Sequence, residues 1–343
     1  MLNQPRHLIR NMSSIPALMT AIVLTVSFVT TATEKKATEG LFAVRIALQW
    51  LPQSQFAGYY MASEQGFYQE AGLDVTLLHT GPGPSSLDYL VNDRAEFCTM
   101  FLGDAILYAR EPIALAHVAQ FAQRSDLMLI GRKDMGIKTP ADLDGKRISY
   151  WPGTFSIAFT AFFRQHDIEP HVLPQHHSVN LFLHGGVAAC AAMYYNEYHR
   201  IYQAGHDYEQ LTLFLMRDYG LGFPEDGLYT RVETAARYPD ESIALRQATL
   251  AGWEYARKHP EEVLDAVLRE SRLAGVPANR PHSRWMLEHI LTSIFPTEAD
   301  VVPGLLNADR YQKTAQALVE AGLIHHILPF DQFFPTSLQE TTP

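Results

Sequence analysis

The sequence predicts an α/β protein in two units, the second inserted into the first, with a helical C-terminal part. Three observations carry this. From Val44 onward short apolar strands alternate with helices; after Thr139 the alternation restarts; and from Asp240 the chain reads as helix after helix. A βαβα order implies in each unit a mixed, mostly parallel sheet flanked by helices.

Each element follows from its residues. Val44–Trp50 is a strand ended by Pro52, and Ala57–Gln65 a helix stopped by Gly66. Asp74–His79 is a strand after the Gly72 turn, and Gly81-Pro82-Gly83-Pro84 a loop from which Ser85 or Ser86 caps a helix through Val91. Glu96–Phe101 is a strand, Asp104–Arg110 a helix and Leu115–Phe121 a strand. The second unit begins with the helix-opening signal Thr139-Pro140-Ala141-Asp142. Gly145 then precedes the strand Arg147–Tyr150, and Gly153-Thr154 opens a helix through Gln165. The strand His171–Leu173, a helix over Val179–Leu183 and the strand Val187–Met193 complete the unit. Asp240–Lys258, Pro260–Ser271, Ser283–Ile294 and Asp309–Ala321 are the later helices.

The pattern changes hands near Ser125–Gly131 and near Arg217–Phe223. The first unit is therefore expected at 43–126 and 222–335, and the second at 127–221, with hinges at the two crossings. A cleft between two such units is a preferred place for a small ligand.

Composition narrows the function. A chain of 343 residues with 47% hydrophobic and 19% charged side chains has the length for two globular domains. Lys plus Arg is 27 against 37 for Asp plus Glu, a net charge of −10, which argues against a nucleic-acid backbone or an anionic membrane surface as partner. Cys98 and Cys190 lie in short apolar runs and are expected to be buried free thiols, too few for a disulfide scaffold. Neither His176-His177 nor His325-His326 has zinc-protease spacing, and no nucleophile elbow or Walker loop occurs. No metal, cofactor or catalytic residue is expected.

The N-terminus differs from the rest. Arg6, His7 and Arg10 precede the apolar stretch Ile15–Val29, and Thr30, Thr31 and Ala32 follow it. This is the order of a secretory signal over residues 1–32, expected to be cleaved, with an uncleaved membrane anchor as the alternative. Its apolar stretch is shorter than the ~20 residues that span a bilayer. Losing Arg6 and Arg10 takes the charge from −10 to −12.

Several residues can hold a ligand. Trp50 ends a strand, where open α/β sheets bind their ligands, and its indole can stack on a flat heterocycle. Gln53 and Gln55 follow in a loop and can hydrogen-bond a ring edge, and Gly58 lets the backbone come close. One of Tyr59 and Tyr60 must face inward; which one stays open. Gly103 and Asp104 follow a strand, Asp104 either capping its helix or facing the cleft. Trp151 ends a strand of the second unit, and the amides at Gly153 and Thr154 can hold a carboxylate or phosphate, as can those at Ser85 and Ser86.

The run Leu48 to Val75, containing Trp50-Leu51-Pro52 and Gln55-Phe56-Ala57-Gly58-Tyr59-Tyr60, resembles the start of bacterial periplasmic substrate-binding proteins of the thiamine-pyrimidine-precursor family, relatives of the sulfonate- and riboflavin-binding types. The resemblance continues in order through Asp142 to Arg147, Tyr194-Tyr195-Asn196-Glu197, Tyr219 to Phe223, Asp226 to Tyr229 and Ala248 to Ala256. It implies the two-lobed periplasmic binding protein fold of type II and a periplasmic, monomeric solute receptor. Such a receptor captures a small planar heteroaromatic ligand, a thiamine pyrimidine precursor or similar, and delivers it to an inner-membrane ABC permease. It also places Tyr195 and Glu197 at the site, Glu197 accepting hydrogen bonds from an aminopyrimidine-like edge, with Asp226 as a weaker candidate.

Two alternatives accompany it. The Gln-Phe-Ala-Gly-Tyr-Tyr form also resembles sensor-linked members, which report ligand to a membrane signalling partner. The family's eukaryotic pyrimidine-precursor synthases are enzymes, but their pyridoxal-phosphate lysine falls at Met100, their sacrificial histidine at Asp104, and their cysteine-rich stretch at Leu221–Gly227, which has no cysteine. The chain also departs from the pyrimidine binders, whose Asn and His after Trp-x-Pro are Gln53 and Phe56 here.

Overall fold

The computed structural model describes residues 40–152, 155–297 and 301–339. The expected signal segment and the residues Gly153 and Thr154 lie outside the described residues. In chain order the first part runs β1 (Phe42–Leu48), α1 (Ala57–Glu64), α2 (Phe67–Glu70), β2 (Leu73–His79), α3 (Ser86–Val91), β3 (Phe97–Met100), α4 (Leu102–Leu107) and β4 (Leu115–Ala122). Then come β5 (Leu127–Arg132), β6 (Arg147–Tyr150), α5 (Ile157–Gln165), β7 (His171–Pro174), α6 (Asn180–Leu183), β8 (Ala189–Met193), α7 (His199–Gln203) and β9 (Leu211–Leu215). The chain returns through β10 (Glu225–Arg231) and ends in α8 (Val232–Arg237), α9 (Pro239–Lys258), α10 (Pro260–Leu273), α11 (Arg280–Ile294), α12 (Ala308–Glu320), α13 (Phe330–Phe333) and α14 (Thr336–Gln339).

The strands form two five-stranded sheets, β2-β1-β3-β10-β4 and β7-β6-β8-β5-β9. In each, one strand is antiparallel to both its neighbours and the other four share a direction. The odd strand is in each case the one that enters from the other sheet: β5 on the way out, β10 on the way back. The two sheets therefore repeat one wiring, and β1 and β6 occupy the same place in it.

Three strands escape the periodicity reading: β5, β9 and β10. Leu127-Met128-Leu129-Ile130 is buried on both faces and paired on both edges, so it shows a continuous apolar run rather than alternation. The first crossing is consequently short, residues 123–126, and residue 127 is already strand. The signal at Thr139 makes only a 3-10 turn, Pro140–Leu143, with the Asp142 carboxylate accepting from the Thr139 amide at 2.7 Å. Gly145, at φ +64°, turns the chain away after it. The helix expected at Asp104–Arg110 starts earlier, at Leu102.

Two glycines set the closest helix approach. A Cβ on Gly252 of α9 would fall on the Gly58 carbonyl oxygen of α1, and a Cβ on Gly58 would fall on the Trp253 indole. The close approach that Gly58 permits is thus to another helix. The core is continuous with this contact: Trp253, Tyr59 and Tyr68 are fully buried, and the Tyr68 hydroxyl bonds Thr249 at 2.9 Å.

Candidate functional site

The carboxyl ends of β1 and β6 face each other, and each is followed by a tryptophan. Trp50 is held through its backbone. His79 at the end of β2 makes a 2.9 Å bond to the Trp50 carbonyl through Nδ1 and a 3.0 Å bond to the Tyr60 hydroxyl through Nε2. A carbonyl only accepts, so Nδ1 carries the proton and Nε2 accepts from Tyr60. Burial lowers the His79 pKa to about 4, which keeps the ring neutral and this tautomer defined. Trp151 is fixed by its indole N–H, which donates to the His176 carbonyl at 3.1 Å.

Phe101 after β3 and Phe155 before α5 complete an aromatic group. Trp50 and Trp151 have ring centroids 6.3 Å apart, Trp50 and Phe155 5.5 Å, and Phe101 and Phe155 5.3 Å, all edge to face. The group closes one side of a small chamber of ≈ 30 Å³ whose other walls are Gln53, Gln55, Met193, Tyr195, Asn196 and Glu197. That is room for about two waters. On the far side of Trp50, Trp151 and Phe155 lies a wider chamber of ≈ 490 Å³, walled by Gln49, Gly81, Pro82, Gly83, Ser85, Gln175 and His176 among others. No lysine or arginine lines either chamber among the described residues.

Glu197 sits in a π-helical turn, Tyr194–Tyr198, directly after β8. The wide turn drops its carboxylate back onto the strand end, where Oε2 accepts from the Met193 amide at 2.9 Å. Oε1 accepts from the Asn196 side chain at 2.7 Å. The group is 3% exposed. Burial raises its pKa, and the Met193 amide and Arg200 pull the other way. Across the chamber the Gln53 side-chain nitrogen donates to the Gln55 side-chain oxygen.

The structure thus brings Trp50, Gln53, Trp151, Tyr195 and Glu197 onto one wall system. Neither Tyr59 nor Tyr60 lines either chamber. Tyr59 packs edge-on to Phe121 at 5.8 Å inside the core, and Tyr60 serves Trp50 only through His79. Gly103 lies where the two sheets' helices meet: a Cβ there would stand 2.8 Å from the Phe223 ring. Asp104 does not cap its helix; that position is Phe101. Its carboxyl instead lines a void of ≈ 10 Å³ with Ser125, Leu127, Phe155 and Phe223, and burial pushes its pKa well up. Asp226 lies beneath the site, accepting from the Gln49 side chain, with its pKa raised to about 7 by burial. Ser85 caps α3 in a capping box with Asp88, and Ser86 donates to the Thr99 carbonyl at 2.6 Å. Phe101, Phe155 and Met193 are wall residues that the sequence left unmarked, since only tertiary packing brings them to the chamber.

Two sheets of one wiring, joined by two crossings with a chamber between their strand ends, define a periplasmic binding protein fold. Solved structures bear out the fold. They include the ligand-binding component of an ABC-type import system from Staphylococcus aureus, with zinc bound (TM-score 0.62, 12% identity, 87% of this chain and 97% of that one). The periplasmic aliphatic sulphonate binding protein SsuA from Escherichia coli matches similarly (TM-score 0.60, 16% identity, 87% and 98%). The chain belongs to the NMT1/THI5-like family, whose model matches residues 53–263. A curated relative, the formylaminopyrimidine-binding protein of Halalkalibacterium halodurans, is 26% identical over 256 residues, 70% of this chain and 74% of the relative.

Proposed function

We propose that this chain is the solute-binding component of an ABC importer and captures a small, flat, nitrogen-rich heterocycle, a formylaminopyrimidine or a close analogue, between its lobes. The observation that carries the reading is the inner chamber. It joins tryptophans from both sheets to one buried carboxylate, two glutamines and an asparagine, with no cation on its walls among the described residues. Aromatic faces suit a planar ring, and a carboxylate suits its N–H donors. A sulfonate would bring a fixed negative charge beside Glu197 with no lysine or arginine on the chamber wall among the described residues, a costly burial.

Binding rather than catalysis is proposed because Met100 and Asp104 stand where the resembling synthases carry their lysine and histidine. Neither side chain can form an imine with pyridoxal phosphate. Residues 1–32 are proposed to export the chain to the periplasm, and no helix among the described residues is long and apolar enough to cross a membrane. Residues 127–221 are proposed as the lobe that moves, about the crossings at 123–126 and 220–224.

Titration calorimetry on the purified chain tests the ligand class. A formylaminopyrimidine is expected to bind and an aliphatic sulfonate is not. Sulfonate binding without pyrimidine binding overturns the reading. A permease and ATPase encoded beside this chain support the importer role, whereas a sensor kinase there supports the signalling alternative.

A further inference from the structure

Helix α11 belongs with the first sheet. The Ser54 hydroxyl, just before α1, donates to its Ser283 carbonyl at 2.7 Å. Yet one face of α11 is laid against the second sheet's π-turn and α7. His282 Nε2 lies 3.0 Å from Asn196 Oδ1, and His282 Nδ1 lies 2.9 Å from His199 Nδ1. The His199 ring lies nearly coplanar with His282, centroids 5.2 Å apart at 11°, and stacks on Trp285 at 4.6 Å and 12°. The Trp285 indole donates to the Tyr194 carbonyl at 3.4 Å.

Proton positions follow from the chemistry of each group. The Asn196 amide nitrogen donates to Glu197 Oε1, so its oxygen is the atom turned toward His282 and can only accept. His282 Nε2 therefore bears a proton. A neutral ring then offers Nδ1 as acceptor to the His199 N–H. Arg200 Nε also approaches His282 Nε2, at 3.3 Å, but a protonated nitrogen cannot accept from it; the shorter bond to Asn196 decides, and the guanidinium opposes a second proton on the ring. The result is a directed chain, His199 to His282 to Asn196 to Glu197, that starts on α7, crosses to the other lobe, and returns to the chamber wall.

We propose that His282 is a positioning residue for the ligand site: from the opposite lobe it orients Asn196, and through it the Glu197 carboxylate, so that the ligand-facing acceptor is set only when the lobes are shut. The proposal rests on the reading of Glu197 as a ligand group. The bond also acts as a latch on closure in its own right, which allows a test without ligand.

Three full-length variants separate the roles. His282→Gln keeps a donor near the Nε2 position and loses the link to His199; His282→Asn keeps a group near Nδ1 and loses Asn196; His282→Ala loses both. With a formylaminopyrimidine as probe in calorimetry, His282→Gln is expected within ~3-fold of native affinity, while His282→Asn and His282→Ala lose ~10-fold or more. Without ligand, labels on cysteines introduced at the exposed positions Tyr202 and Leu273 are expected to report a wider mean separation in His282→Ala and His282→Asn, restored in His282→Gln. Equal separations in all four proteins overturn the proposal, as does a His282→Gln that behaves like His282→Ala. If the native chain ignores the probe but the separations still order as expected, the ligand reading fails and the latch stands.

Discussion

Trp50 shows how a single side chain acquires a role through its neighbours. Its ring is only half-buried, but its backbone is held by His79, which Tyr60 holds in turn. Trp50→Ala is expected to weaken formylaminopyrimidine binding by ~30-fold or more, the scale of an aromatic hot spot, while cooperative unfolding is retained. Unchanged affinity in calorimetry would remove Trp50 from the site.

Asp226 makes a different kind of prediction. It adopts φ +51°, which Asp and Asn tolerate better than most residues, and its second carboxyl oxygen has no protein partner among the described residues. Its folded pKa of about 7 lies above the unfolded ~3.9, so the folded state holds this proton longer and stability falls as pH rises between those values. His79, His117 and His282, lowered by burial to about 4, 3 and 3, work the other way. Their contribution grows with pH up to the unfolded ~6.5 and is flat above it. Above that point only the acid effect remains. Asp226→Asn keeps the acceptor for Gln49 and is expected to melt higher than native at pH 8, with the advantage gone below pH ~4. A native-like melting profile in the variant would show that Asp226 is ionised at no cost.

At the scale of elements, α1 and α9 touch through Gly58 and Gly252, and no side chain can be added there without parting the helices. Gly252→Ala is expected to destabilise by ~1–3 kcal/mol in urea unfolding, the usual cost of overpacking. An unchanged midpoint would mean that the helices can separate freely. Element periodicity also decides what the sequence disclosed. The long helices α9 to α12 were legible because apolar residues recur at helical spacing, and the strands β1 to β4 because they are short apolar runs that alternate with helices. The strand β5 follows β4 after only residues 123–126 with no helix between them, and β10 carries Glu225, Asp226 and Gly227, which read as loop. Buried acids of this kind are a tertiary decision, made by Ser125 and the Asp126 amide bonding Glu225 at 2.7 and 2.9 Å. Within the site, Trp50 and Trp151 were visible because each ends a strand, and Glu197 through the family resemblance. His282 was not, since its partners lie more than eighty residues away in sequence.

For the whole molecule, the pairing of sheets explains why the chamber is so small. Rings from both lobes fill it, and ≈ 30 Å³ does not admit a pyrimidine until they part. Under the proposed function the chain opens to load. Small-angle scattering is expected to show compaction when a formylaminopyrimidine is added, as the population shifts toward the shut form. Superimposable profiles at saturation would count against rotation about the two crossings.

The repeated wiring has one more consequence, carried by the two thiols. Cys98 pairs in register with Ala47 in the first sheet and Cys190 with Ser149 in the second, and both are fully buried. Each half of the molecule thus contains its own silent reporter. A small alkylating reagent can reach either sulfur only while that sheet is locally unravelled, so the rate at each is set by the opening free energy of its own half. Peptide mass spectrometry on one timed sample would then read two stabilities at once. A ligand that grips both lobes should slow the two rates together, whereas one that merely rests on a single lobe should slow one of them.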